Sequence, residues 1–210
     1  MIQVYCLNCS IEVKKVRWID KKKVGKEIGD DIKVVLLSEC NSTQDEVFKL
    51  LKTGEDRVIC VASKIQRYGR GRFGREWLSP SGGLWFSIGI IKKMKLETAD
   101  TLVKPITKKV YDVIKTLIKK DIITYIKEPN DIYIDGKKAC GILLETQSDS
   151  KYIKRLVIGI GMNYYNIIRK TGGCVPNFEY SRLCDYTDAD ITNIFINILK
   201  KIKKFFDTEL

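Results

Sequence analysis

Histidine is absent from all 210 residues. That absence removes Ser-His-Asp and Cys-His nucleophile pairs, histidine-ligated zinc and histidine general-base chemistry. Catalysis, if present, must rest on Lys, Arg, carboxylates, amides, backbone dipoles or a bound cation. Long apolar runs are missing as well. The nearest, Leu84 to Ile91, is broken by Ser87 and Gly89, and a membrane helix needs about 18 or more apolar residues in a row. The opening MIQVYCLNCS reaches Glu12 without a long apolar stretch, so no secretory leader and a cytoplasmic location are expected. Only four prolines occur, with no repeat and no low-complexity linker. Acidic residues are in deficit: 26 Asp+Glu against 38 Lys+Arg leave a net charge of +12. A basic surface draws nucleotide phosphates, nucleic acid or an acidic protein. The runs Lys21–Lys23 and Lys200–Lys204 read first as solvated faces.

The seven cysteines are Cys6, Cys9, Cys40, Cys60, Cys140, Cys174 and Cys184. An odd count without a leader points to reduced thiols in a reducing compartment. Cys6 and Cys9 form a lone CxxC, and a structural zinc site wants four ligands. No metal bound directly by the chain is expected.

With 44% hydrophobic and 30% charged residues, the chain can bury a core. Lys33–Ser38 reads as a short buried strand, followed by a helix-start signal at Asn41-Ser42-Thr43 and a helix over Asp45–Lys52 ending at Gly54. Arg57–Ala62 is β-rich. Ser63 to Gly83 then contains five glycines and no periodicity, the mark of a functional or mobile loop. Leu84–Ile91 resumes as a strand. From Asp100 to Lys120 apolar residues recur every three or four positions, a helix in which Pro105 is tolerable only in the first turn. Ile122–Ile126 is a strand. Ile132–Ile134 and Ala139–Glu145 flank Asp135-Gly136, a hairpin signal. Tyr152–Ile160 is a further strand, and a helix burying Ile191 through Phe205 closes the chain. The expected fold is α+β: a mixed, largely antiparallel sheet with helices packed on it. Residues 1–32 form an N-terminal extension packed on the core, where Arg17, Trp18 and the lysines could form an edge hairpin or touch a partner. Residues 33–210 form one domain.

Four segments can carry chemistry. The loop holds Gln66-Arg67-Tyr68-Gly69-Arg70-Gly71-Arg72-Phe73-Gly74-Arg75-Glu76-Trp77. Glycine lets backbone approach a ligand closely, and arginine matches phosphate oxygens two at a time. The pair describes a cradle for a triphosphate or a carboxylate–phosphate mixed anhydride. It is not a Walker loop, since no Gly-Lys-Ser/Thr follows, and it lacks the repetition of an RGG-type nucleic-acid segment. The second segment, Lys127-Glu128-Pro129-Asn130-Asp131, places a lysine at a strand end before a fixed turn. The third and fourth, Gly141–Glu145 and Ile158–Asn163, put small residues inside β-branched strands, where a ligand or another backbone comes close.

Together and in order, these segments resemble the biotin–protein ligase family. The matching residues are Ser42-Thr43-Gln44, the Gln66 to Trp77 loop, Ser79-Pro80 with Gly82-Gly83-Leu84, Lys127 with Pro129-Asn130-Asp131, Gly141-Ile142-Leu143, and Gly159, Gly161 and Asn163. The likeness spans roughly residues 33–205. Gln44 stands where the family usually has Asn, and Glu128 where it usually has an aromatic. Neither the N-terminal helix-turn-helix domain nor the small C-terminal domain of some members is expected. The resemblance implies the catalytic domain of that family, a fold akin to class II aminoacyl-tRNA synthetases. It further implies ATP-dependent attachment of biotin to one lysine of a carboxylase acceptor domain through biotinyl-5′-AMP, with Mg²⁺ held mainly by phosphate oxygens. Lys127 and Arg72 would be catalytic. Ser42, Thr43, Gln44, Gln66, Gly69, Arg70, Gly71, Arg72, Lys127 and Gly141 would bind biotin. Arg70, Arg72, Arg75, Trp77, Lys127, Asn130 and Asn163 would bind ATP, with Trp77 covering the adenine. The partner would be the acceptor domain, not nucleic acid or a membrane, with the enzyme a monomer or homodimer. The alternatives are a lipoate or octanoate ligase or transferase, whose Arg-Arg-x-x-Gly-Gly-type motif is not found, and a basic nucleic-acid-binding module without catalysis.

Overall fold

Along Ile158-Gly159-Ile160-Gly161-Met162 bulky residues alternate with glycines. A strand sends successive residues to opposite faces, so one face of this strand can be packed while the other stays flat. The sheet around it obeys that division. The computed structural model describes residues 18–54, 58–168 and 179–210. Its seven strands are β1 (Ile32–Leu37), β2 (Val58–Ser63), β3 (Leu84–Lys95), β4 (Thr124–Lys127), β5 (Asp131–Ile134), β6 (Lys137–Ser148) and β7 (Tyr152–Met162). They form one sheet in the order β1-β2-β3-β7-β6-β5-β4. The β1–β2 pair is parallel and every other neighbouring pair antiparallel, as the sequence led us to expect.

The helices are α1 (Lys21–Ile28), α2 (Thr43–Leu51), α3 (Thr98–Leu117) and α4 (Ile191–Glu209). Helices α3 and α4 cover one face of the sheet, and Phe86 of β3 meets Phe195 of α4 edge to face at 5.1 Å. Each fully buried Ile or Phe in this layer contributes roughly 1.5–3 kcal/mol. Of the described α-helices α2 packs on the opposite face, its Val47 and Leu51 against Ile59, Val61 and Val157. Gly89 lets α2 sit that close, since a Cβ there would lie 2.6 Å from Val47 Cγ1. The rest of that face is free to build a site. No helix among the described residues is long and apolar enough to cross a membrane.

Two expectations require correction. The lysines at 21–23 open α1 instead of joining an edge hairpin. Asp20 caps the helix by accepting hydrogen bonds from the Lys22 and Lys23 amides at 2.9 and 3.2 Å. Val24 and Ile28, four apart, are buried, and α1 packs against α4. Two apolar residues among lysines are too sparse a pattern to see until α4 is there to cover them. Pro105 lies not in the first turn of α3 but at the eighth residue. Burial of Leu102 and Ile106 on either side outweighs a disruption of about 3 kcal/mol.

Asp135 and Gly136 both take positive φ, 52° and 73°, the requirement of the tight hairpin turn between β5 and β6. The register slips between Ile132 and Tyr133: Ile132 faces Cys140, whereas Tyr133 faces Lys138. This bulge puts Lys138 and Gly141, three residues apart, on the same face of the sheet. The Cys6–Cys9 pair lies outside the described residues.

Candidate active site

The flat part of the α2 face is floored by glycine. Gly141 of β6 pairs with Gly161 of β7, and Leu143 with Gly159. A Cβ on Gly161 would lie 2.4 Å from Trp77 Nε1, and one on Gly159 would lie 2.7 Å from Gln44 Oε1. Only hydrogen at these α-carbons lets Trp77 and Gln44 lie on the sheet. Between and above them opens a cleft walled by the start of α2, the glycine–arginine loop and the facing parts of β5, β6 and β7.

One end of the cleft is a neutral hydrogen-bond chain. The Thr43 amide and hydroxyl both donate to Gln66 Oε1 at 2.9 Å. With the Thr43 proton so used, the Ser87 hydroxyl must be the donor in its 2.7 Å contact with Thr43 Oγ1. Gln66 Nε2 donates to Ser79 Oγ at 2.8 Å, which in turn donates to the Trp77 carbonyl at 3.0 Å. Thr43 starts α2, so the helix entry and the loop are locked together here.

The glycine–arginine loop is an ordered hairpin rather than an irregular coil. The Trp77 amide donates to the Gly69 carbonyl at 2.8 Å and the Gly71 amide to the Arg75 carbonyl at 2.6 Å. Gly69 is needed for that closure, since a Cβ would lie 2.4 Å from the Trp77 carbonyl oxygen. This strap lies over the glycine floor. At its tip Phe73 takes φ 59°, a left-handed conformation that costs a side-chain-bearing residue about 1–2 kcal/mol.

The strap's arginines divide. Arg70 is gripped on two sides: Nη1 and Nη2 donate to Asp45 at 3.0 and 2.8 Å, and Nε and Nη2 to Glu145 at 3.1 and 3.0 Å. These bonds, to Asp45 first, push its proton affinity above the ordinary arginine value. Sequence reasoning assigned Arg70 to the anhydride, but its guanidinium is already matched by two carboxylates and ties the strap to α2 and β6. Arg72 Nη1 donates to Asn130 Oδ1 at 3.1 Å, and Asn130 Nδ2 donates to the Ile142 carbonyl at 2.8 Å. Arg75 Nε donates to the Arg72 carbonyl at 3.1 Å.

Of the residues expected from sequence, Thr43, Gln44, Gln66, Arg70, Gly71, Arg72, Arg75, Trp77, Asn130 and Gly141 line the cleft. Four expected residues are not in its wall. Ser42 is buried at the helix start, and Gly69 shapes the strap from behind. Asn163 is buried in a polar knot, accepting from Asn166 Nδ2 at 2.9 Å. Lys127 ends β4 with its ammonium 5.1 Å over the Tyr133 ring. It nevertheless begins the cross-strand row Lys127, Asp131, Gly141, Gly161, so it shares the cleft's face of the sheet.

Lys138 was missed. It lines the cleft, its ammonium 2.8 Å from Asp131 Oδ2 and 5.0 Å over the Trp77 ring. Only the bulge turns it inward, and a strict alternation count would send it to the other face. Trp77, expected to cover an adenine, lies across Gly141 and Gly161 beneath this ammonium. Trp77 Nε1 and Asp131 Oδ1 are buried without a hydrogen-bond partner among the described residues. An unmet buried polar atom costs about 1–3 kcal/mol. Among the described residues no three carboxylates, cysteines or histidines converge on a metal position.

The profile of the Biotin/lipoate A/B protein ligase family matches residues 37–163, more than half of the chain. The Bifunctional ligase/repressor BirA of Bacillus spizizenii is 35% identical over 124 residues, covering 59% of this chain and 38% of that protein. The Biotin--[acetyl-CoA-carboxylase] ligase of Paracoccus denitrificans is 30% identical over 128 residues, 61% of this chain and 53% of that one. The chain thus spans about half or less of the length of these relatives. Among solved structures, the biotin protein ligase from Aquifex aeolicus in complex with biotin and ATP aligns with a TM-score of 0.58 at 26% identity, covering 84% of this chain and 72% of that one. A seven-stranded sheet with a glycine-floored, arginine-strapped cleft, matched by that profile, makes this chain a member of the Biotin/lipoate A/B protein ligase family.

Proposed function

We propose that the chain is a biotin–protein ligase catalytic domain. It would join biotin to ATP as biotinyl-5′-AMP and pass the biotinyl group to a lysine of a carboxylase acceptor domain. The observation that carries this reading is the polarity of the cleft. Its Thr43, Gln44 and Gln66 end is lined by neutral polar side chains, suited to a ureido ring. Its other end offers Arg72, Arg75 and Lys138, suited to a carboxylate meeting a phosphate. The relatives' names and the biotin and ATP bound to the Aquifex neighbour support the same substrates.

In the first step a biotin carboxylate oxygen attacks the α-phosphorus as the bond to the bridging oxygen breaks and pyrophosphate leaves. Two anions about 4 Å apart repel by about 4 kcal/mol at an effective dielectric of 20. Arg72, already aimed by Asn130, would offset that repulsion and stabilise charge growing on the phosphate. Lys127 would swing from the Tyr133 ring toward the same oxygens. An exposed cation–π contact is worth about 0.5–1 kcal/mol, well under the attraction of an ammonium for a phosphate at that range. Mg²⁺ would arrive on the triphosphate, a cation that commonly keeps its waters and takes one or two carboxylates. The carboxylates lining the cleft are Glu76 and Asp131, the latter paired with Lys138. In the second step the lysine nitrogen attacks the acyl carbon and AMP leaves. Its surplus proton passes to solvent, and positioning supplies most of the acceleration.

The deciding experiment measures thermal shift and pyrophosphate release with biotin plus ATP, with lipoate plus ATP, and with an oligonucleotide. Stabilisation and pyrophosphate release with biotin plus ATP alone are expected. A response to lipoate, or to the oligonucleotide with a steep salt dependence, would replace this reading.

A further inference from the structure

Phe73 is 83% exposed and Tyr68 66% exposed, the two most exposed aromatic residues among those described, and both belong to the strap. Phe73 is held outward at φ 59°, a conformation that glycine or asparagine adopts with far less strain. The Arg72 guanidinium lies 4.8 Å and the Arg75 guanidinium 5.7 Å over its ring. Both arginines line the cleft, and the largely exposed Phe73 ring lies against their guanidiniums at its lip. The lip of the cleft is therefore an apolar point flanked by positive charge.

We infer that Phe73 is a docking contact for the protein that delivers the acceptor lysine, a surface presenting an apolar spot ringed by carboxylates beside that lysine. This rests on the ligase reading above. A lysine side chain is short, so the domain that carries it must lie against the lip while its amine enters the cleft. A chain of net charge +12 draws an acidic surface.

The test uses Phe73→Asn, which keeps a residue at ease with positive φ and removes only the ring, beside Phe73→Tyr, which keeps the ring. Biotin-dependent exchange of pyrophosphate into ATP should stay within about twofold of wild type in both, as should cleavage of the adenylate by hydroxylamine. With the apo biotin-carrier domain of an acetyl-CoA carboxylase as acceptor, Phe73→Asn should raise KM about tenfold with kcat unchanged, the signature of lost uniform binding. Phe73→Tyr should leave KM near wild type. An unchanged acceptor KM in Phe73→Asn would overturn the inference, as would an exchange rate falling in step with transfer, which would place the ring on the nucleotide. Absence of exchange in the wild type would instead overturn the ligase reading itself.

Discussion

Arg72 and Asn130, 58 positions apart, meet through a 3.1 Å hydrogen bond from Nη1 to Oδ1. That bond joins the glycine–arginine strap to the turn after β4, and Asn130 is itself pinned to β6 through the Ile142 carbonyl. Arg72 is therefore aimed before any ligand arrives, which is what electrostatic stabilisation of a developing charge requires.

If Arg72 holds the mixed anhydride in place, Arg72→Gly should let the adenylate escape. Biotin should then spread onto bystander lysines, read by streptavidin blot of a mixed protein sample. Asn130→Ala should give a weaker version of the same leak. Strict retention in both variants would remove Arg72 from the cradle.

The two lysines near the cleft can be told apart. Lys127→Ala should lower the rate of adenylate formation by about 10²–10³, the scale of one preorganised charge donor. Lys138→Ala should act chiefly by freeing Asp131 and the Trp77 ring, loosening substrate binding more than it slows the chemical step. Single-turnover rates at saturating biotin and ATP separate the two, and an unaffected Lys127→Ala rate would shift the catalytic role to Lys138.

Gly161 and Gly159 carry different burdens. A methyl group on Gly161 meets the rigid Trp77 indole at 2.4 Å, whereas one on Gly159 meets the flexible end of Gln44 at 2.7 Å. Gly161→Ala should therefore lift Trp77 off the floor and reduce adenylate formation by about tenfold or more, equivalent to at least about 1.4 kcal/mol. Gly159→Ala should do less. Near-equal losses, measured alongside melting temperatures, would argue against a floor matched to Trp77.

The strap's backbone bonds from Gly71 to Arg75 and from Trp77 to Gly69 join segments held by few buried contacts. Amide exchange over residues 69–75 should be fast in the free protein and slow once biotin and ATP are added. Equal protection in both states would mean that the hairpin does not respond to its ligands.

Asp149, in the turn between β6 and β7, accepts hydrogen bonds from the Lys151 and Tyr152 amides at 2.9 and 2.8 Å. Those bonds, with the nearby Lys154, lower its pKa to about 2 from 3.8. The folded value is depressed, so the charged carboxylate favours this turn above the unfolded pKa, and the contribution fades as pH falls toward 2. Exchange at the Lys151 and Tyr152 amides, corrected for intrinsic rates, should rise over that interval in wild type and show no such dependence in Asp149→Asn.

The alternations and spacings carried much of the answer. The β-rich stretches, the amphipathic stripes of α3 and α4, the Asp135-Gly136 turn and the glycines of β6 and β7 are local signals, because side-chain periodicity and positive φ are properties of a few consecutive residues. The charge pattern and the absence of histidine fixed the kind of chemistry available. What chain-local reading missed depends on packing from a distance. Helix α1 exists through α4, and Pro105 sits inside α3 because its neighbours are buried. Arg70 and Arg72 look alike in sequence, yet one is matched by Asp45 and Glu145 and the other is turned toward the cleft by Asn130. Lys138 enters the site only because a one-residue bulge reverses the alternation of β6. Sequence by itself determined which residue types line a glycine-floored cleft. Only the tertiary structure decided which charges remain uncommitted within it, since that depends on which carboxylates the fold brings within hydrogen-bonding reach.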